Sequence, residues 1–163
     1  MAKAATPAIA ALVKAGIPHE VLTYHHDPRT TNFGAEAVAE LAKSHGVVPQ
    51  QVFKTLVIAL PKGLAVAVLP VPATLSLKAA AAALGVPKAA MADTAEAQRS
   101  TGYVVGGISP LGQRKRLPTV VDASALEWDQ ILCSAGRRGL DLALAPRDLV
   151  EMTQALVADI RTG

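Results

Sequence analysis

"QVFKTLVIAL", residues 51–60, places Lys54 and Thr55 inside an otherwise apolar run. Read as a strand, alternate residues face opposite sides. Val52, Leu56, Ile58 and Leu60 share the face of Lys54, while Phe53, Val57 and Ala59 take the other. Both faces are apolar, which predicts a central strand covered on both sides. A lysine is rarely buried without a partner. Three roles fit Lys54: snorkelling to water at a strand end, gripping an anionic or carbonyl group of a ligand, or forming a Schiff base.

Local signals place the neighbours of this strand. Upstream, "TPAIAALVKAG" has Thr6 as N-cap, Pro7 at the first helical position and Gly16 just past the end. This spacing predicts a short amphipathic helix and argues against a signal peptide at the N-terminus. "HEVLTYHH" (19–26) predicts a strand and "GAEAVAELAKSHG" (34–46) a helix closed by Gly46. Downstream, Lys62–Gly63 turns the chain into "LAVAVLPV" (64–71), completing a hairpin. "SLKAAAAALG" is a helix between Ser76 and Gly85, "KAAMA" a short strand, and "DTAEAQRSTG" a helix started by Asp93. "YVVGGISPLG" (103–112) predicts a strand running into a glycine-rich loop. "PTVVD", "QILCS" and "LDLALA" predict three more strands. "PRDLVEMTQALVADI" (146–160) predicts one closing helix with Leu149, Met152, Leu156 and Ile160 on a shared face. About eight strands among five helices predict a single α/β domain over 1–163: a curved mixed sheet, partly barrel-like, surrounded by helices.

Composition bounds the rest. The 163 residues suit one domain with a full core, and the apolar fraction is 51%. Sixteen Lys and Arg against 13 Asp and Glu give a net charge of +3, compatible with an anionic partner but too small to establish one. No apolar run approaches the ~20 residues of a membrane span. One cysteine, Cys133, excludes an internal disulfide and a thiol-based metal cluster, so a soluble, cytoplasmic protein is expected.

Several residues are candidates for chemistry. In "LDLALA" the leucines form one face, leaving Asp141 among Gly139, Ala143 and Ala145. Such a face leaves room for a pocket, where the carboxylate pairs with Lys54 or takes a ligand ammonium; an ordinary surface aspartate is the alternative. "GGISP", Gly106 to Pro110, lets main chain approach a ligand or forms a plain tight turn. Arg114, Lys115 and Arg116 are a solvated loop or, beside a pocket, a phosphate grip. His25 and His26 are adjacent and on a strand would point apart, so no metal site is expected. Tyr24 is a candidate cleft residue. Cys133 reads as a buried structural thiol. The chain carries no G-x-S-x-G, Walker or dinucleotide fingerprint, and no obvious nucleophile.

"VFKTL", "MADTAEAQRSTGYVVGGISPLGQRKRLPTVVD" and "SAGRRGLDLALAPRDL" resemble the YbaK/EbsC family of bacterial aminoacyl-tRNA deacylases, from about residue 4 to the end and most densely over 91–122. The resemblance is greatest to the branch that removes cysteine mischarged onto tRNA for proline; alanine is the rival substrate, and a non-catalytic module binding tRNA or a synthetase the rival class. It implies a curved mixed-sheet fold shared with the editing insertion of prolyl-tRNA synthetases. It also implies a substrate pocket with Lys54, Gly106 and Asp141 catalytic. Tyr24, Phe33, Thr55, Gly107, Ile108, Ser109, Pro110 and Ser134 would contact substrate; Arg114, Lys115 and Arg116, directly after the pocket loop in sequence, are expected to grip phosphates of the tRNA acceptor end. Phe33 stands where relatives often carry tyrosine, so a hydroxyl is not essential there. No cofactor is implied. The implied reaction is attack by the substrate thiol on its own ester, with prolyl-tRNA synthetase as a transient partner.

Overall fold

The computed structural model describes residues 6–162. Residues 1–5, part of the stretch weighed above as a signal peptide, lie outside the described residues. Helix α1 (Pro7–Ala15) starts where expected: Thr6 Oγ1 accepts from Ile9 N, and Gly16 closes the helix at φ +69°. Strand β1 (His19–Thr23) is shorter than predicted and stops before His25 and His26. Helix α2 (Phe33–His45) begins one residue early, because Asn32 supplies the cap to Ala35 N. β2 (Phe53–Ala59) and β3 (Leu64–Pro70) form the predicted hairpin. α3 (Leu77–Leu84), β4 (Ala90–Met91) and α4 (Thr94–Thr101) follow, with Ser76 and Asp93 as caps. β5 (Thr119–Asp122), β6 (Ile131–Arg137), β7 (Leu140–Leu144), α5 (Pro146–Thr153) and β8 (Leu156–Ala158) complete the chain.

Two local readings are corrected. Residues 103–107 form no strand. Tyr103 is buried and its hydroxyl donates to Leu111 O (2.6 Å), while Gly107 N bonds Val104 O, so the segment folds onto itself as a turn. The closing helix ends at Thr153, because Gln154 enters the left-handed region at φ 53°. The chain then runs out as β8, parallel to β5. Leu156 is therefore 48% exposed, while Ile160 is fully buried in a different cluster from Leu149.

The expected single curved sheet is two sheets, neither closed into a barrel. One has the order β1-β7-β6, all antiparallel; the other, mixed, has the order β4-β2-β3-β5-β8. A lone parallel bridge, Val52 to Leu132, joins them. Two short strands, β4 and β8, close the edges of the larger sheet, where a barrel would need continued pairing.

The reading of β2 as covered on both sides holds. Phe53 and Val57 pack into the main core with Val66, Val68 and the leucines of β7. Ile58, with Leu56 and Leu60, packs into a second core with Ala65, Ala67 and Leu69, under α3. A third cluster, around Leu22, Leu41, Val52, Leu132 and Ala143, holds α2 over the seam between the sheets.

Candidate active site

Where the sheets part, they leave a cleft of about 550 Å³. Its floor is the start of β2, Val52 to Val57, together with Ser134 of β6 and Asp141 of β7. The N-terminal turn of α2 forms one wall, and the turn at Val105–Gly106 with Ile108 forms the facing one. Tyr24, Val71, Met91 and Thr94 complete the rim.

Lys54 is held rather than free. Its Nζ donates to Ala73 O (2.6 Å) and Val71 O (3.2 Å), main-chain acceptors just beyond β3. An ammonium has three donors, so one remains for a ligand. Burial pulls the Lys54 pKa below its ordinary value. The pairing with Asp141 weighed from the sequence does not occur: no ion pair within 4.0 Å joins them.

Asp141 is 4% exposed, and burial raises its carboxyl to about 7. It sits where the alternation of β7 predicts. Leu140, Leu142 and Leu144 enter the main core, while Asp141 and Ala143 face the other way. Its cross-strand neighbour is Ser134, whose Oγ accepts from Gly136 N (3.1 Å) at the bulge that ends regular pairing. The Tyr24 hydroxyl is held protonated, its pKa pushed up to about 12 by burial and then by the Asp141 charge. Thr55 Oγ1 is buried with no hydrogen-bond partner among the described residues. Buried hydroxyls are usually paired, so this one is an exception beside the cleft.

Glycine is required at two points of this turn. A Cβ at Gly106 (φ +90°) would lie 2.5 Å from Phe33 Cγ, and one at Gly107 would lie 2.6 Å from Arg137 Cα. The turn can thus press against both α2 and the β6–β7 connection. Gly107, Ser109 and Pro110 stand behind this wall rather than on the cleft. Ser109 is fully buried, and its Oγ accepts from Leu111 N. Among the described residues no hydrogen bond uses the amide of Gly106 or Ile108.

Arg114, Lys115 and Arg116 are exposed, and none lines the cleft. The first two amides bond Thr101 O and Ser100 O, at the end of α4 remote from Thr94. Those anchors lie one helical turn beyond Ala97, which lines the cleft. His26 Nδ1 donates to Glu36 Oε1 (2.6 Å) instead of continuing a strand. Cys133 is fully buried in the main core, and burial pushes its thiol pKa up. Arg138 escaped the sequence reading. Its guanidinium lies over the Phe33 ring, 4.3 Å from the centroid, and its Nε donates to Val105 O (2.9 Å). The only local signal was the pair Arg137–Arg138 set among glycines in a strand connection.

Residues 34–152 match the family model of the aminoacyl-tRNA editing domain. The chain is 39% identical over 132 residues, covering 80% of its length and 79% of the relative, to the Enterococcus faecalis protein "Putative Cys-tRNA(Pro)/Cys-tRNA(Cys) deacylase EbsC". The fold superposes at a TM-score of 0.81 and 27% identity on "a putative trans-editing enzyme for prolyl tRNA synthetase", over 94% of each chain. It also superposes on "hypothetical protein APE2540" at a TM-score of 0.82 and 28% identity, over 96% of this chain and all of that one. With most of its length inside the family model, the chain belongs to the aminoacyl-tRNA editing domain family and is an aminoacyl-tRNA deacylase.

Proposed function

We propose that the protein removes cysteine from tRNA for proline in trans, with the substrate thiol as nucleophile. The observation that carries this reading is a cleft with a lysine and an aspartate but no activated nucleophile. Lys54 and Asp141 are present and unpaired with each other, whereas the single thiol, Cys133, is buried outside the cleft with its pKa pushed up. Among the described residues no histidine lines the cleft to act as base for Ser134 or Thr55. An activated hydroxyl needs a base in hydrogen-bond contact, and neither Ser134 Oγ nor Thr55 Oγ1 bonds Lys54 or Asp141.

In the proposed reaction the cysteine sulfur bonds to the ester carbonyl carbon, and the bond from that carbon to the terminal ribose oxygen breaks. The thiol proton ends on that oxygen, leaving a cyclic thiolactone and tRNA with a free hydroxyl. Ionised Asp141 holds the substrate α-ammonium. The third N–H of Lys54 faces the developing oxyanion, together with the unused amides of Gly106 and Ile108. Tyr24, Phe33, Thr55 and Ser134 shape the pocket, and Gly107, Ser109 and Pro110 hold the loop behind it. Alignment of thiol and ester can contribute on the order of 7–11 kcal/mol without a protein nucleophile. Editing is needed because binding alone separates small apolar side chains by only about 1–3 kcal/mol. A transient complex with prolyl-tRNA synthetase would supply tRNA selection to a chain of net charge +3. Arg114, Lys115 and Arg116 would add a peripheral contact.

The test is deacylation of tRNA(Pro) esters of cysteine, S-methylcysteine and alanine, with binding measured separately. The cysteine ester should be cleaved, and the bound S-methyl ester should persist. Cleavage of the S-methyl or alanine ester at the cysteine rate assigns the nucleophile to water or a protein group.

A further inference from the structure

Arg138 is an exposed cation held against two residues that line the cleft. It is fixed at two points, by the Phe33 ring beneath its guanidinium and by Val105 O at Nε. Both Phe33 and Val105 line the cleft. The connection that carries it is itself pinned, since Gly107 packs against the main chain of Arg137 and Arg138 so closely that a Cβ would collide. No carboxylate of a described residue lies within 4.0 Å of either arginine. The nearby Glu36 is occupied by His26 and by Asp27 N. A guanidinium carries five N–H donors, so the four on its two Nη groups remain unassigned. A stacked, oriented fork of this kind matches phosphate geometry.

We propose that Arg138, with Arg137 beside it, grips the phosphodiester backbone of the single-stranded end of the RNA as it enters the cleft. This rests on the deacylase reading and specifies the path of its substrate. Arg114, Lys115 and Arg116 line no part of the cleft, whereas Arg138 touches two residues that do. Arg138 acts on positioning and affinity, not on bond breaking.

The experiment compares wild type with Arg138→Gln and Arg138→Lys by steady-state deacylation of cysteinyl-tRNA(Pro) over a range of salt, and by equilibrium binding of uncharged tRNA(Pro). For Arg138→Gln we expect KM to rise about tenfold with kcat little changed. The slope of log affinity against log salt should fall by about 0.7, one single-strand phosphate contact. Arg138→Lys should restore the salt slope but not the full affinity, since it keeps charge and loses the stacked fork. An unchanged KM and salt slope in Arg138→Gln overturns the proposal, as does a loss confined to kcat. If wild type cleaves none of the esters, the deacylase reading fails. Uncharged-tRNA binding then decides alone: equal affinity and slope in wild type and Arg138→Gln overturn the phosphate assignment. Arg138 is exposed, so the variants should melt with wild type.

Discussion

Asp122 and Asp141 are both buried aspartates on sheet strands, and the fold treats them in opposite ways. Asp122 is fully buried, and its carboxylate accepts from Ser124 N, Ser124 Oγ and Ile160 N, with Arg161 Nε at 3.2 Å. These contacts tie the C-terminal segment after β8 to β5. Asp141 has 4% exposure, no ion pair within 4.0 Å and a carboxyl raised to about 7 by burial. A buried charge that is paired belongs to the architecture; one left unpaired is kept for something that binds. Lys54 lies between these cases, with two of its donors spent on main chain and one free.

The largest effect should come from Lys54. Lys54→Ala should lower kcat/KM about 1000-fold with the fold intact, about 4 kcal/mol of transition-state stabilisation. The exposed Lys14 should be replaceable at no cost. Near-normal single-turnover cleavage by folded Lys54→Ala would remove the lysine from the mechanism.

Asp141→Asn should separate activity from stability. Cleavage should fall about 100-fold as the hold on the substrate ammonium is lost, while urea denaturation should show a more stable protein above neutral pH. The sign follows from a folded pKa of about 7 against an ordinary 3.8. Between these values the folded carboxyl keeps a proton that the unfolded chain has released, so stability falls as pH rises from about 4 to about 7 and is level above. The cost is at most roughly 4 kcal/mol. The asparagine variant should lose this slope; an unchanged slope would show that Asp141 is not its source.

Asp122→Ala should do the reverse. It strands two buried amides and a cation, so unfolding free energy should drop by about 3 kcal/mol, with activity per folded molecule unchanged. Impaired turnover in the folded fraction would dissolve the contrast between the two aspartates. A smaller effect is expected at Cys133. Cys133→Ser should keep most activity while losing about 1–2 kcal/mol for a hydroxyl buried in the main core; abolished cleavage in the folded variant would return the nucleophile to the protein. The smallest effect should follow neutralisation of Arg114, Lys115 and Arg116, a mild weakening of tRNA binding and a shallower salt slope. A loss exceeding that of Arg138→Gln would move the RNA path to that loop.

The sequence by itself determined the features whose physics is local. The caps Thr6, Ser76 and Asp93 and the left-handed glycines at 16, 46 and 85 bounded helices, because cap bonds span only a few residues. The two apolar faces of β2 and the leucine face of β7 followed from the period of two in a strand. Lys54 and Asp141 stood out in those patterns as polar groups where apolar ones were due. Tertiary structure alone decided the rest. Gln154 ends α5 with no glycine or proline to announce it, because pairing of Leu156–Ala158 with β5 and capture of Ile160 N by Asp122 outweigh helical periodicity. Tyr103 to Gly107 read as a strand but have no strand to pair with, and the hydroxyl of Tyr103 finds Leu111 O instead. The split into two sheets depends on which edges meet, and among the described residues one bridge joins them. That split opens the cleft and brings Lys54 of β2 and Asp141 of β7 to line it together. It sets Phe33 beneath Arg138, a residue over one hundred positions away. Contacts at such separation depend on how the chain closes its loops, and no short-range pattern encodes them.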